Sequence, residues 1–289
     1  MPDGLILCRF MHFGAVLLLF GVGLFRGVLF ASSLSALKAG AARRLDRAMA
    51  GLAALALLSA VAWLMLTAAN MADDWHDAVS LQTIGSVLGR TFFGHVWIVH
   101  LVLCLLAVLL SLPRARLRPR LCLLVNTLLL LTLAPVGHGA MYDGTQGQLL
   151  ILNQMLHLMG VGTWLGGLLM LAVLLIVDSA VDVRAVLLRF SGIGYGLVAL
   201  IVVTGMINVR ALSGALWPDP PLSGFGAVLA VKVGMVLCML ALAALNRSLA
   251  RGPDLRVSVL RVSVVFECLF GAAALAAVSL LGTLPPMLP

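Results

Sequence analysis

Residues 155–171 read MLHLMGVGTWLGGLLML. The run contains no Asp, Glu, Lys or Arg, and it sits inside a longer apolar stretch over 148–177. About 20 such residues cover a bilayer core about 30 Å thick. The segment therefore reads as a membrane-spanning helix with His157 inside it. An imidazole in that medium is costly, so its presence points to function. A similar phrase, RFMHFGAVLLLFGVG at 9–23, places His12 in the first apolar run.

The rest of the chain has the same character. Of 289 residues, 62% are hydrophobic and only 10% are charged, which fits an all-α polytopic membrane protein and not a soluble domain. Eight spans are expected, at 5–31, 48–70, 93–112, 119–136, 148–177, 187–210, 225–246 and 262–284. The net charge of +8 does not indicate a nucleic-acid partner, because the basic residues sit in short loops between apolar runs. MPDGLILCRF lacks a basic start and no cleavage site follows, so the first run is expected to stay as a helix. Cys8, Cys104, Cys122, Cys238 and Cys268 are odd in number, scattered and free of CxxC, which argues against disulfides and a zinc knuckle.

The connections alternate in charge. The first holds Lys38, Arg43, Arg44 and Arg47, the third is PRARLRPR, and the seventh holds Arg247, Arg251, Arg256 and Arg261. The second holds Asp73, Asp74 and Asp77, and the fourth holds Asp143 and no basic residue. Basic loops stay in the cytoplasm, so both termini are expected outside, in the periplasm.

The chain also reads as one transmembrane domain made of two half-repeats, 1–145 and 146–289. FMHFGAV lies over MLHLMGV, matching His12 with His157. Further on, Arg47 matches Arg189, His100 matches Lys232, and Asn126 matches Glu267. Four helices separate equivalents, so the halves share orientation in a parallel 4+4 repeat.

All six histidines fall in the outer half of this topology. Imidazole is a common copper ligand, and thioether sulfur suits Cu(I). Met11, Met141, Met155 and Met159 lie near His12, His138 and His157, although a methionine two residues away on a helix does not face the histidine. A metal site is expected from His12 and His157 across the repeat interface, with His138. Gly160, Gly162, Gly166 and Gly167, around Trp164, allow helices to approach closely. Lys232 and Glu267 should face the bundle interior, as an ion pair or as relay groups. Asn208 and Asn246 are expected to hydrogen-bond between helices, while His76 and His95 lie at the outer rim. There is no nucleotide-binding glycine loop or soluble catalytic module, so a transporter is expected and not an enzyme.

The sequence resembles the copper resistance D family of bacterial inner-membrane proteins. The resemblance spans the whole chain and is carried by RFMHFGAVLLLFG around His12, PVGHGA around His138, and HLMGVGTWLGGL around His157 and Trp164. It also rests on AVKVGM around Lys232 and ALAALNR around Asn246. It implies eight transmembrane helices, copper as the cargo, import or homeostasis as the role, and a separate periplasmic copper-binding protein as partner. Two alternatives share these histidines: a haem b oxidoreductase with one outer bis-imidazole haem, and a membrane chaperone that only buffers copper.

Overall fold

The computed structural model describes residues 2–34, 37–112, 119–137, 142–177, 181–219, 221–222 and 224–282. These residues are helical, with no strand among them. The helices are α1 (Pro2–Leu24), α2 (Ala31–Leu34), α3 (Ala39–Ala72), α4 (Leu81–Arg90), α5 (Phe92–Ser111) and α6 (Pro119–Leu131). They continue with α7 (Gly144–Ile176), α8 (Val183–Ser213), α9 (Gly224–Arg251) and α10 (Val257–Leu281). Seven of them are long and apolar enough to cross a membrane. The fold is thus an all-helical polytopic membrane fold.

The segment expected as the fourth span, 119–136, is helical only over the 13 residues of α6. At 1.5 Å per residue that is about 20 Å, short of a bilayer core. Turns follow from Thr132 to Val136. Pro135 is the physical reason: it lacks an N–H and disfavours the helical conformation of Ala134 before it.

Two helices were not anticipated, the four-residue α2 and the ten-residue α4. In the second connection, the Ser80 hydroxyl accepts from the Thr83 N–H and starts the amphipathic α4. Its inner residue Val87 is buried, and the backbone of Val87 and Leu88 lies against Gly94 of α5, where a Cβ would collide. Asp73 ends α3 in the left-handed conformation at φ 55°, which Asp tolerates better than most residues.

The core is organised around α1 and α7, which have the most deeply buried apolar windows of the seven. α1 packs on α3, α6, α7 and α10, and α7 packs on α8, α10 and α6. The glycines of α7 serve two neighbours. Gly162 and Gly166 meet Gly21 of α1 so closely that a Cβ on Gly21 would overlap their backbone. Gly160 faces Ile201 of α8, and Gly167 lies under the ring of Phe190. This is small-residue packing, which brings backbones together where lipid offers no hydrophobic drive. After α1, a π-helical turn at Phe25–Leu29 carries Arg26 to an ion pair with Asp46 at 2.9 Å.

Candidate metal centre

His12 lies on α1, ten residues after the helix begins, and His100 lies on α5, eight residues after its start. Both rings are fully buried. Their Nε2 atoms face each other at 2.9 Å. On the far side of each ring, His12 Nδ1 meets Ser59 Oγ of α3 at 2.9 Å, and His100 Nδ1 meets Thr132 Oγ1 at 2.7 Å.

Aromatic rings close the site. Trp97 stacks on His100 with centroids 4.5 Å apart and planes 13° apart. Trp63 presents an edge-on contact to His12 at 5.6 Å, and Phe93 stacks on Trp97 in turn. The Trp97 indole N–H donates to the Ala60 carbonyl at 3.0 Å, which fixes its orientation. No carboxylate touches either imidazole among these contacts.

His157 stands on α7 with a comparable support from α8. Its Nδ1 meets Thr204 Oγ1 at 2.8 Å. Beside it Asn153 donates to the Thr204 carbonyl at 3.0 Å and to Asn208 Oδ1 at 2.9 Å, and Asn208 donates to Gln154 Oε1. Asn208 therefore bonds between helices as expected. His12 and Ser59 are 47 residues apart in sequence, and so are His157 and Thr204.

His157 lines a cavity of about 250 Å³ together with Arg9, Trp164, Asn208 and Lys232. Tyr142, Ala211, Met239, Gly271 and Gly282 are also in its lining. Tyr142 donates to the Ala211 carbonyl there. The lining includes two cationic side chains, Arg9 and Lys232, and no Asp or Glu. Arg9 is spread over the ring of Trp63 at 4.8 Å. Trp164 is buried and its indole N–H has no partner among the described residues.

Several expectations change here. The partner of His12 is His100 and not His157, because α1 meets α7 through glycines while its histidine face turns to α3 and α5. Lys232 and Glu267 form no ion pair among the described residues: Lys232 lines the cavity, and Glu267 accepts from Asn246 Nδ2 at 2.5 Å. His138 and Met141 lie outside the described residues. His76 is exposed and bonds Asp74, and His95 is exposed with Nε2 near the Gly89 carbonyl.

Residues 1–148 match the family described as copper resistance protein D-like, N-terminal domain, and residues 184–281 match copper resistance protein D. The chain belongs to the copper resistance protein D family. It is 30% identical to the inner membrane protein YebZ of Escherichia coli K12, over 97% of this chain and 98% of that one. It is 27% identical to copper resistance protein D of Pseudomonas syringae pv. tomato, over 97% and 96% of the two chains. No solved structure matches it.

In this copper resistance protein D fold, no group of three or more His, Cys, Asp or Glu side chains converges among the described residues. The geometry is unsuited to a haem between His12 and His100, since nitrogens 2.9 Å apart leave no space for a macrocycle. Ser59, Thr132, Thr204, Trp97 and Arg9 were not foreseen as parts of the site. The one signal that could have found two of them is the equal spacing of His12 to Ser59 and His157 to Thr204.

Proposed function

We propose that this chain carries copper across the bacterial inner membrane from the periplasm towards the cytoplasm, receiving it from a separate periplasmic copper-binding protein. The family and the names of two full-length relatives support copper and the inner membrane as the setting. The observation that carries the reading is the way each deep imidazole is held. A hydroxyl from the neighbouring helix engages Nδ1 of His12 and Nδ1 of His157, which leaves Nε2 of each ring as the ligating atom. Outer partners of this kind orient metal-binding histidines.

Both termini are outside in this reading, and the chain crosses the membrane eight times as two parallel half-repeats, 1–145 and 146–289, the short α6 and the turns that follow it to Val136 making the fourth crossing. α1, α3, α5 and α6 correspond to α7, α8, α9 and α10. The repeated 47-residue separation supports the duplication, as does the neighbour pattern: α1 packs on α3 and α6 as α7 packs on α8 and α10. The imidazoles then share the outer half of the bilayer. His12 with His100 takes the metal ion. His157, with Lys232 and Trp164, lines the cavity open to the same side. Glu267 with Asn246 forms the polar step nearer the cytoplasm.

The test is copper accumulation in cells lacking the native gene and complemented with this chain. Wild type should restore uptake, whereas His12→Ala and His157→Ala should not, at equal membrane abundance. Normal copper accumulation with both variants would exclude a histidine route.

A further inference from the structure

We propose that Nε2 of His12 and Nε2 of His100 form a two-coordinate site for Cu(I). The proposal rests on the copper reading above and adds the oxidation state and the second ligand.

Hydrogen accounting carries it. Ser59 Oγ lies 2.6 Å from the Leu55 carbonyl, and Thr132 Oγ1 lies 2.7 Å from the Leu129 carbonyl. Two oxygens so close need a hydrogen between them, and a carbonyl has none to give. Each hydroxyl proton is therefore committed to its own helix. Each hydroxyl can then only accept from the histidine, so Nδ1 carries the hydrogen in both rings. In a neutral imidazole the other nitrogen is then a bare lone pair. Two lone pairs face each other across 2.9 Å. That arrangement is repulsive unless a cation lies between them, a proton in the absence of metal.

The second half of the chain supports the same conclusion independently. Thr204 Oγ1 gives its hydrogen to the Leu200 carbonyl at 2.5 Å, so His157 Nδ1 is also a donor and its Nε2 is bare. Lys232 of α9 lines the same cavity as His157. Lys232 is also the residue that the sequence repeat lays over His100. The repeat thus sets a second imidazole beside His12 in one half and an amine in the cavity of His157 in the other.

The chemistry of the gap selects the ion. Two imidazole nitrogens in line suit a linear, singly charged d10 ion. Zn(II) takes four ligands in nearly all structural sites, and Cu(II) favours tetragonal sets. Among the described residues neither finds a third ligand here, and Trp63 and Trp97 occupy the flanks. A divalent ion would also bring a second charge to a pocket with no carboxylate in contact. With metal–nitrogen bonds of about 2 Å the two nitrogens must stand about 4 Å apart, so copper entry requires the rings to part by about 1 Å.

The experiment uses the full chain in lipid nanodiscs without oxygen. Cu(I) is titrated against a chromophoric chelator, and the copper-loaded wild type is measured by X-ray absorption. One Cu(I) per chain with two nitrogen neighbours and no sulfur is expected. His12→Ala and His100→Ala should each lower the affinity by at least about a hundredfold, beyond the usual loss for an outer-shell change, while His95→Ala does not. The wild-type spectrum decides the matter even if a variant fails to fold. A three- or four-coordinate shell, a sulfur neighbour, equal retention of Zn(II), or no bound copper (a shared proton only) would each overturn the site. The two readings can fail separately: two-nitrogen Cu(I) without copper uptake in cells removes the transport function and keeps the site. Copper uptake with a different wild-type shell does the reverse.

Discussion

Asn246 on α9 donates to Glu267 on α10 at 2.5 Å, and this amide is what the buried carboxyl meets. Glu267 is only 2% exposed. Among the described residues its second oxygen and the Asn246 amide oxygen have no partner. Lys232 lines the cavity and makes no ion pair with the carboxyl among the described residues.

Two consequences can be measured as unfolding free energies in detergent. Asn246→Ala should cost about 1–3 kcal/mol, because it strips a buried carboxyl of its donor. Lys232→Ala and Glu267→Gln should add to within about 0.5 kcal/mol, as separate sites do. A clearly larger coupling would mean that the two groups meet after all.

The seam between α1 and α7 gives a second prediction. Gly21→Val should unseat the helices and lower the melting temperature sharply, since Gly162 and Gly166 leave no space for a side chain. Gly51→Ala is the contrast. No atom lies within 4 Å of an added Cβ there, so the change should be neutral or stabilising by about 0.5–1 kcal/mol. Similar melting temperatures for the two variants would contradict the close packing.

Ser59 offers a test of the support behind His12. Ser59→Ala removes the acceptor of the Nδ1 hydrogen and frees the ring to choose its tautomer. Copper affinity should fall about 10–100-fold, with little change in helix content, as Ala is a good helix former. Competition with a Cu(I) chelator reads this directly, and unchanged affinity would remove the orienting role.

Topology can be mapped with reporter fusions. Fusions after residues 40, 116 and 254 should report cytoplasm, and those after 78, 142 and 218 should report periplasm. The loop around 116 is the most basic of the chain. A periplasmic signal there would invert the orientation and put the histidine layer on the cytoplasmic side.

Much of the fold was legible because membrane insertion is decided by composition over short windows. Charge-free runs such as 155–171 had to be helices, since only a helix satisfies its own backbone in lipid. The windows could not separate α6 from a full span, as Pro135 interrupts helix without changing hydropathy. They also passed over α4, whose apolar face packs on α5 instead of spanning anything.

The histidines divide in the same way. That His12 and His157 are buried polar groups followed from the apolar residues around them. Which of them meet could not be read, because partners are set by the rotation of each helix about its axis. That rotation is fixed by packing between helices. Glycines 21, 162 and 166 turn one face of α1 to α7, and the opposite face then delivers His12 to Ser59 and His100. The sequence by itself determined which polar groups lie within apolar helices. Only the tertiary structure decided which of them touch, because contact between helices depends on backbone approach distances that no single helix contains.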